Sequence, residues 1–277
     1  MLGPSHPETL STLNSLGIAH QALGQYAPAE TLLSECLEVA GKAFGAEHPA
    51  TFACRNTLAE VLQSEGKFDS AERHFRTILE LDRRQYGPEG PDTLRSLSNL
   101  GVTLAAGGRY AEARTVLEQA VALRERVLGA KNPKTLSSLD SLASVQWKQG
   151  QLASARELFQ KVVTLRREVL GPKHSRTLSS LTSLADVLVD QGRHREAEPI
   201  LRETLAASGN DKWARSCRQS LLGASLAGQQ RLAEAEPLLR AGYAGLLAGQ
   251  GSHSSSARLE VERARRRLHA LAKQTRP

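Results

Sequence analysis

The sequence predicts an all-α solenoid of about six antiparallel helix pairs that ends in a C-terminal capping helix. Two observations predict this fold. A pattern of small and apolar residues repeats every 42 residues, and each copy divides at a glycine into two halves with helical periodicity. The composition agrees, because hydrophobic residues make up 40% of the chain and aromatic residues only 4%. The core is therefore expected to consist mainly of Leu, Ala and Val, of which Leu and Ala favour helices.

Five copies of the repeat keep the same register in three columns, which hold a threonine, a glycine and an alanine. The columns are Thr9, Thr51, Thr93, Thr135 and Thr177; Gly24, Gly66, Gly108, Gly150 and Gly192; and Ala29, Ala71, Ala113, Ala155 and Ala197. A sixth copy follows after 38 residues, because Arg231–Leu239 matches Arg193–Leu201. We therefore place six repeat units in residues 7–246, five with the 42-residue period and one shorter.

Each copy is expected to form two helices. In the first copy, Leu10, Leu13 and Leu16 recur at three-residue steps and form one face of a helix, and Gly24 lies just beyond its end. A second apolar stripe covers about residues 28–44. The linkers between copies contain Gly and Pro, which end one helix and suit the first turn of the next. Histidines in these linkers are expected to cap helices: His6, His48 and His174.

A column of glycine and alanine marks the place where the two helices of each copy are expected to cross closely. Its members are Gly17, Ala59, Gly101, Ala143, Ala185 and Gly223. A side chain larger than a methyl group would hold the helices apart there. The alanine column that begins at Ala29 is expected to do the same from the second helix. Both columns therefore predict buried positions without room for a larger residue.

These columns resemble those of the tetratricopeptide repeat (TPR), and the third copy carries them most clearly, at Leu97, Leu100, Gly101, Gly108, Tyr110, Ala113, Leu117 and Ala120. The usual TPR period is about 34 residues, whereas a period of 42 residues with an LG-x-x-HP linker resembles the kinesin-light-chain type. The resemblance implies a right-handed solenoid whose first helices line a concave face. It also implies a scaffold that binds a protein or peptide segment in that groove.

The segment Arg231–Leu246 is also similar to the TPR tails of bacterial serine/threonine kinases, which gives an alternative function: a regulatory or targeting portion of a larger enzyme. The chain itself carries no HRD, DFG or APE motif of a kinase, no phosphate-binding glycine loop, and no HExxH or GxSxG motif. We therefore predict no enzymatic activity, no cofactor and no metal site in this chain.

The spacing of the cysteines and the lengths of the apolar runs indicate the cellular compartment of the protein. Cys36, Cys54 and Cys217 form no CxxC pair, and we interpret them as free thiols in a reducing environment, with Cys36 buried and the other two partly exposed. No apolar run approaches the roughly 20 residues that span a bilayer, and the first residues do not resemble a signal peptide. The sequence thus predicts a cytoplasmic protein that does not associate with membranes.

Short polar residues precede the small column on the first helix of each copy, and the resemblance places them in the groove. They are Asn14, Asn56, Asn99, Asp140, Ser141, Thr182 and Ser183. Such amides and hydroxyls can pair with the backbone of an extended peptide, or they are only a solvated lining. One turn further along, Glu60, Trp147 and Asp186 are further candidates for contacts. Acids outnumber bases on this face, so we expect a neutral or basic segment as the partner.

Residues 254–272 are predicted to form a basic capping helix. An apolar stripe is expected to cover the last repeat, with Ala257, Val261, Ala264, Leu268 and Leu271. Residues 258–277 hold seven basic and two acidic side chains, which is most of the net charge of +7, and the arginines are expected to face water. The alternative is an electrostatic patch for an acidic partner or anionic lipid. Nucleic acid is disfavoured because no aromatic residue is interleaved with the arginines.

The start of the chain resembles the middle of the repeat array. The residues Leu2-Gly3-Pro4 match Leu170-Gly171-Pro172 four periods later, so residues 1–6 are interpreted as a partial linker between repeats. Solenoids normally end in a capping element with a polar outer face, and none precedes the first repeat. We expect either a fragment of a longer protein or self-association through the uncapped first repeat. The alternative is a short repeat protein that simply starts here.

Overall fold

In the computed structural model, which describes residues 3–249 and 256–274, the chain is an all-α helical repeat solenoid. Thirteen α-helices and no β-strand occur in the described residues, so the predicted fold class is confirmed. None of the helices in this part of the chain combines the length and the hydropathy that a membrane span requires. The chain divides into two compact units, Met1–Val127 and Leu128–Pro277, which we describe separately.

The first unit contains three helix hairpins, one for each of the first three copies of the repeat. The hairpins are α1 (Pro7–Ala22) with α2 (Tyr26–Phe44), α3 (Pro49–Glu65) with α4 (Phe68–Tyr86), and α5 (Pro91–Ala106) with α6 (Tyr110–Leu128). The second unit contains three more hairpins and a closing helix. These are α7 (Pro133–Lys148) with α8 (Leu152–Leu170), α9 (Ser175–Asp190) with α10 (His194–Ala206), α11 (Lys212–Gly228) with α12 (Leu232–Gly249), and α13 (Ser256–Gln274).

Glycine makes the turn within the hairpins. The glycine column has positive φ in all five copies, and Gly66, which follows α3, has a φ of 93°. Its N–H donates to the carbonyl of Gln63, and the N–H of Lys67 donates to the carbonyl of Leu62. These bonds satisfy carbonyl groups that the end of a helix leaves open. In the sixth copy Gln230 takes this position with a φ of 64°, the one non-glycine residue with positive φ in the described ranges.

Linker histidines cap three of the first helices, as predicted. The Nδ1 atoms of His6, His48 and His174 each accept a hydrogen bond, 3.2 Å long, from the backbone N–H two residues later. The side-chain oxygen of Asn132 caps α7 in the same way. Proline is the first residue of α1, α3 and α7, where its fixed φ suits the turn and its missing N–H is not needed.

The predicted small column lies where the two helices of a hairpin meet. Gly101 on α5 is buried, and a Cβ atom built on it would lie 2.7 Å from Cγ of Leu117 on α6. Cβ atoms built on Gly17 and Gly223 would likewise lie 2.6 Å from Cγ of Leu33 and 2.7 Å from Cγ of Leu239. The alanine column that begins at Ala29 is fully buried in all six copies. The two helices of each hairpin therefore touch along both columns.

The shorter step between the fifth and sixth copies lies in the second helix of the fifth. This helix, α10, has 13 residues where α8 has 19. A cleft of about 790 Å³ opens beside its end, between α10, α11 and α12. Leucine side chains line the cleft, among them Leu205, Leu222 and Leu238, and Arg202 and Glu234 lie at its rim.

The structure corrects the interpretation of two cysteines. Cys36 on α2 and Cys54 on α3 form a disulfide, with Cα atoms 6.0 Å apart, and both side chains are buried. The prediction of free thiols was therefore wrong for this pair. The predicted partial exposure of Cys54 was wrong as well. These two cysteines no longer support a reducing compartment. The two residues meet only because the second helix of one copy packs against the first helix of the next. Cys217 is a free thiol.

Gly101→Ala is expected to destabilise the first unit. The new methyl group would overlap Leu117, and overpacking costs about 1–3 kcal/mol, which exceeds the helix-propensity gain of about 1 kcal/mol. Gly41→Ala is the matched control, because a Cβ atom there meets its nearest neighbour, Thr51 Cγ2, only at 4.0 Å. Urea denaturation followed by circular dichroism should show a lower midpoint for Gly101→Ala and an unchanged or higher one for Gly41→Ala. Equal midpoints would contradict the close crossing.

Gln230→Gly is expected to stabilise the second unit. A side chain in the left-handed region costs about 1–2 kcal/mol, and glycine removes most of this cost. The reverse change, Gly108→Ala, places a side chain at a φ of 80° and should destabilise by a similar amount. Thermal denaturation of the two variants should shift the midpoint in opposite directions. A lower midpoint for Gln230→Gly would show that its side chain stabilises the turn.

Candidate functional site

The first unit carries three asparagines of the predicted groove on its first helices. Asn14 and Asn56 occupy the same repeat position on α1 and α3, and Asn99 lies one residue later in its copy, on α5. All three are half-buried. The Nδ2 of Asn56 donates to Oε1 of Glu60 at 2.8 Å. The Oδ1 atoms of Asn14 and Asn56 are buried without a hydrogen-bond partner in the described part of the chain, so each can still accept a hydrogen bond.

Apolar side chains are exposed one turn beyond these asparagines. Ile18 on α1 and Val102 on α5 share one repeat position and are 48% and 40% exposed. Glu60 occupies the same position on α3 and is half-buried. This part of the first unit therefore combines buried hydrogen-bond acceptors that lack a partner, exposed apolar groups and one carboxylate, and ligand sites use such a mixture for affinity and orientation.

In the second unit, Asp140 is held by a buried arginine. Asp140 lies on α7 at the repeat position of Asn14 and Asn56. Its Oδ1 accepts a hydrogen bond of 2.6 Å from the hydroxyl of Ser180 and lies 3.3 Å from Nη1 of Arg166 on α8. Burial raises the pKa of Asp140, whereas Arg166 and Ser180 oppose this rise. The carboxylate is therefore bound within the protein.

The hydroxyl groups of the second unit also bond within the protein. Ser141 donates to the carbonyl of Ser137 at 3.1 Å. Thr182 donates to the carbonyl of Leu178 at 2.8 Å and accepts from Nε of Arg218 at 3.2 Å. Neither hydroxyl therefore has a free proton for a ligand.

A cavity of about 450 Å³ lies between α9 and α11. Thr182 and Ser183 line it together with Trp213 and Cys217. Burial raises the pKa of the Cys217 thiol to about 12, so the thiol stays protonated at neutral pH and is not an activated nucleophile.

Asp186 binds the closing helix. Its two oxygens lie 2.7 Å from Nη2 of Arg263 and 2.9 Å from Nη2 of Arg267, both on α13. Arg267 also bonds Ser220 on α11, at 3.4 Å. Burial raises the pKa of Asp186, and the two arginines oppose this rise. Asp186, predicted to line the groove, is thus covered by the chain's own C-terminal helix.

Trp147 is held between charged groups. Its indole N–H donates to Oδ2 of Asp190 at 2.7 Å. Nζ of Lys148 and the guanidinium carbon of Arg263 lie 4.6 and 4.8 Å from the ring centroid, within the range of cation–π attraction. Trp147 and Asp186, predicted separately from two copies of the repeat, are therefore joined through Arg263.

The capping helix differs from the prediction in one respect. Its apolar stripe is confirmed, because Ala257, Val261, Ala264 and Leu271 are buried and Leu268 is half-buried, although residues 254 and 255 lie outside the described residues. The expectation that the arginines face water was wrong for Arg263 and Arg267. Their four-residue spacing was visible in the sequence, but the acid that they reach lies far away along the chain.

Comparison with known families identifies the repeat. A tetratricopeptide repeat family model matches residues 8–83, 55–126, 103–168 and 134–209, and a second tetratricopeptide repeat model matches residues 182–246. The chain has no significant match among curated proteins.

Solved structures have the same fold. A crystal structure of nearly identical TPR-like repeats, from a kinesin light chain candidate of Podosopora anserina, aligns with a TM-score of 0.65 and 26% identity over 76% of this chain and 99% of that one. BtubC (BKLC) from P. vanneervenii aligns with a TM-score of 0.67 and 20% identity over 81% and 92%. The Rap conjugation gene regulator of the plasmid pLS20, in complex with the Phr* peptide, aligns with a TM-score of 0.61 and 12% identity over 94% and 73%.

Arg166→Met is expected to destabilise the second unit by up to about 3 kcal/mol, because it leaves the partly buried carboxylate of Asp140 without its cation. Without Arg166, only the hydrogen bond from Ser180 would oppose the effect of burial, and the folded-state pKa of Asp140 would rise further. The defect should therefore be largest at neutral pH and smaller near the ordinary carboxyl pKa of 3.8, where Asp140 takes up a proton in the folded state. Urea denaturation at the two pH values measures this difference.

Arg167→Met is the matched control for this prediction. Arg167 is the next residue on α8, and it pairs with Glu203 at the surface, where a salt bridge contributes about 1 kcal/mol or less. Adding Asp140→Asn to Arg166→Met should recover part of the lost stability. The ion pair would have no structural role if both arginine variants unfolded at the same urea concentration.

Proposed function

Because the chain belongs to the tetratricopeptide repeat family, we propose that it is a non-enzymatic scaffold whose first unit binds an extended peptide along α1, α3 and α5. The observation that carries the proposal is the pair of Oδ1 atoms on Asn14 and Asn56, which are buried without a donor in the described part of the chain. A buried acceptor without a partner costs free energy, so a hydrogen bond from a peptide N–H is favourable once the amide side chain turns its Oδ1 toward the peptide.

The second unit offers less to an extended peptide at the corresponding positions. Asp140 is bonded to Arg166 and Ser180, and Thr182 to Arg218. A ligand would have to replace these bonds, whereas in the first unit it would add new ones. This contrast supports the asparagines of the first unit as the contacts for the peptide backbone.

Glu60 indicates the charge of the peptide. Its carboxylate lies between the exposed side chains of Ile18 and Val102 in the repeat order, and it accepts a bond from Asn56. Arg95, a base on the same first helices, is paired with Asp92 at 2.9 Å. A peptide with apolar side chains and a neutral or basic residue opposite Glu60 fits this surface.

The fold itself is compatible with peptide binding. The Rap conjugation gene regulator of pLS20 has the same helical repeat fold and was solved with the Phr* peptide. This likeness supports peptide binding as a function that such a helix array can perform, and the residues proposed here come from this chain alone.

The double variant Asn14→Ala, Asn56→Ala is expected to bind its peptide about tenfold more weakly. Two hydrogen bonds of about 0.5–1.5 kcal/mol each would be lost. The peptide is first selected by probing a random-sequence peptide array with the full chain, which should enrich neutral and basic sequences. Fluorescence anisotropy with the selected peptide then gives the dissociation constants.

Asn210→Ala is the matched control, since it removes the same group from an exposed loop of the second unit and should leave affinity unchanged. Enrichment of acidic peptides on the array would count against the proposal. Unchanged affinity of the double variant would exclude the two asparagines as backbone contacts.

A further inference from the structure

The closing helix α13 directs part of its charge at the inner side of the second unit. Arg263 and Arg267, one turn apart, both bind Asp186 on α9. Arg263 also lies over the indole of Trp147 on α7, whose N–H is fixed by Asp190. We call Trp147, Asp186 and Asp190 the acidic patch. All three lie on first helices of the repeats, the helices on which the sequence predicts ligand contacts.

The two arginines on the acidic patch are withdrawn from water, unlike their neighbours on the same helix. The side chains of Arg263 and Arg267 are 18% and 14% exposed, and that of Asp186 is 8% exposed. Arg265 and Arg266 are 64% and 75% exposed and pair with Glu262 of their own helix. Removing one partner of a buried pair leaves the other charge uncompensated and is strongly destabilising, so loss of the two arginines should weaken the attachment of α13.

The geometry of the patch selects two guanidinium groups. Each oxygen of Asp186 takes one arginine, and the ring of Trp147 provides a face for a planar cation. A lysine would supply a point charge without the flat group that stacks on the ring. A four-residue spacing on a helix brings both cations to the same side. The patch therefore recognises a helix with two arginines one turn apart.

Further charged groups face this contact. Glu260 on α13 accepts a bond of 3.1 Å from Arg263, and Nζ of Lys148 lies 4.6 Å from the ring centroid of Trp147. If α13 were removed, the carboxylates of Asp186 and Asp190 would be uncovered, and Lys148 would be the cation beside them. The uncovered surface is thus acidic, and it is complementary to a basic segment.

The apolar stripe of α13 contains small side chains as well as large ones, because two of its five residues are alanines. Its buried stripe includes two alanines, Ala257 and Ala264, beside Val261 and Leu271. Burial of a methyl group contributes much less than burial of a leucine or a phenylalanine side chain. The polar contacts therefore account for an important share of the attachment, and a competitor with the same arginine pair could replace them.

We propose that the acidic patch is a second binding site, which takes a helical protein segment with two arginines one turn apart, and that α13 occupies this site as a ligand in cis. A partner of this kind binds only in exchange for α13, so the closing helix sets the affinity that a partner must exceed. This site is separate from the asparagines of the first unit, and the inference goes beyond the proposed function.

The experiment uses a fluorescent synthetic peptide of residues 256–274 as the probe. In the full chain with Arg263→Glu and Arg267→Glu, α13 carries charges that Asp186 repels, so the patch becomes available to the wild-type peptide. We expect this variant to bind the probe at least tenfold more tightly than the wild-type chain. A probe with the same two glutamates should not bind, and Asp186→Asn added to the double variant should abolish binding.

The matched control is the full chain with Arg265→Glu and Arg266→Glu, which makes the same change of net charge on the exposed face of α13. It should bind the probe as weakly as the wild-type chain does. Equal binding by all three chains, or binding that survives Asp186→Asn, would overturn the proposal. If circular dichroism shows that the double charge reversal prevents folding, the variant Arg263→Gln with Arg267→Gln replaces it. This variant too must bind the probe more tightly than the wild-type chain and the matched control do.

The two proposals fail separately. The variant Asn14→Ala, Asn56→Ala retains both Asp186 and the arginines of α13, so it should bind the probe as the wild-type chain does. A chain that binds its array-selected peptide normally but never accepts the probe would refute only the role of α13. The opposite result would refute only the role of the asparagines.

Discussion

The close crossing of two helices within each hairpin is the constraint on which the other features depend. At Gly101 no space remains for even a methyl group, because Leu117 fills the contact from the second helix. Backbone and leucine therefore meet directly at this crossing, and the glycines of the first and sixth copies meet a leucine in the same way. Residues at one repeat position, such as Asn14 and Asn56, therefore lie on the same side of successive first helices. A column of residues in the sequence thus lines one surface of the protein.

Arginines at the same repeat position of the second helices make different contacts in the two units. Arg124 and Arg166 lie 42 residues apart, and each donates to the backbone carbonyl of a leucine at the equivalent position of a first helix. In the second unit Arg166 also reaches the inner side and binds Asp140. The aspartate at that position supplies a counter-charge to the buried Arg166, and an unpaired buried charge is costly. The equivalent positions of the two units thus make different contacts within the protein.

The C-terminal helix is attached by polar as well as apolar contacts. An apolar stripe alone would cover the last hairpin and leave the charged side in water. By placing Arg263 and Arg267 on Asp186, the chain satisfies a carboxylate that would otherwise be exposed on its inner side. The same helix therefore caps the last hairpin and covers Asp186.

The sequence by itself determined the helices, their turns and the crossing columns, because these depend on interactions between residues close in the chain and recur in six copies. It also predicted groove residues on the first helices, among them Asp186 and Trp147. Only the tertiary structure decided what those residues bind. The disulfide of Cys36 with Cys54 and the contact of Arg267 with Asp186 join different copies of the repeat. Periodicity predicts which face a residue lies on, but several acids and bases lie on each face, and only the packed helices decide which of them meet.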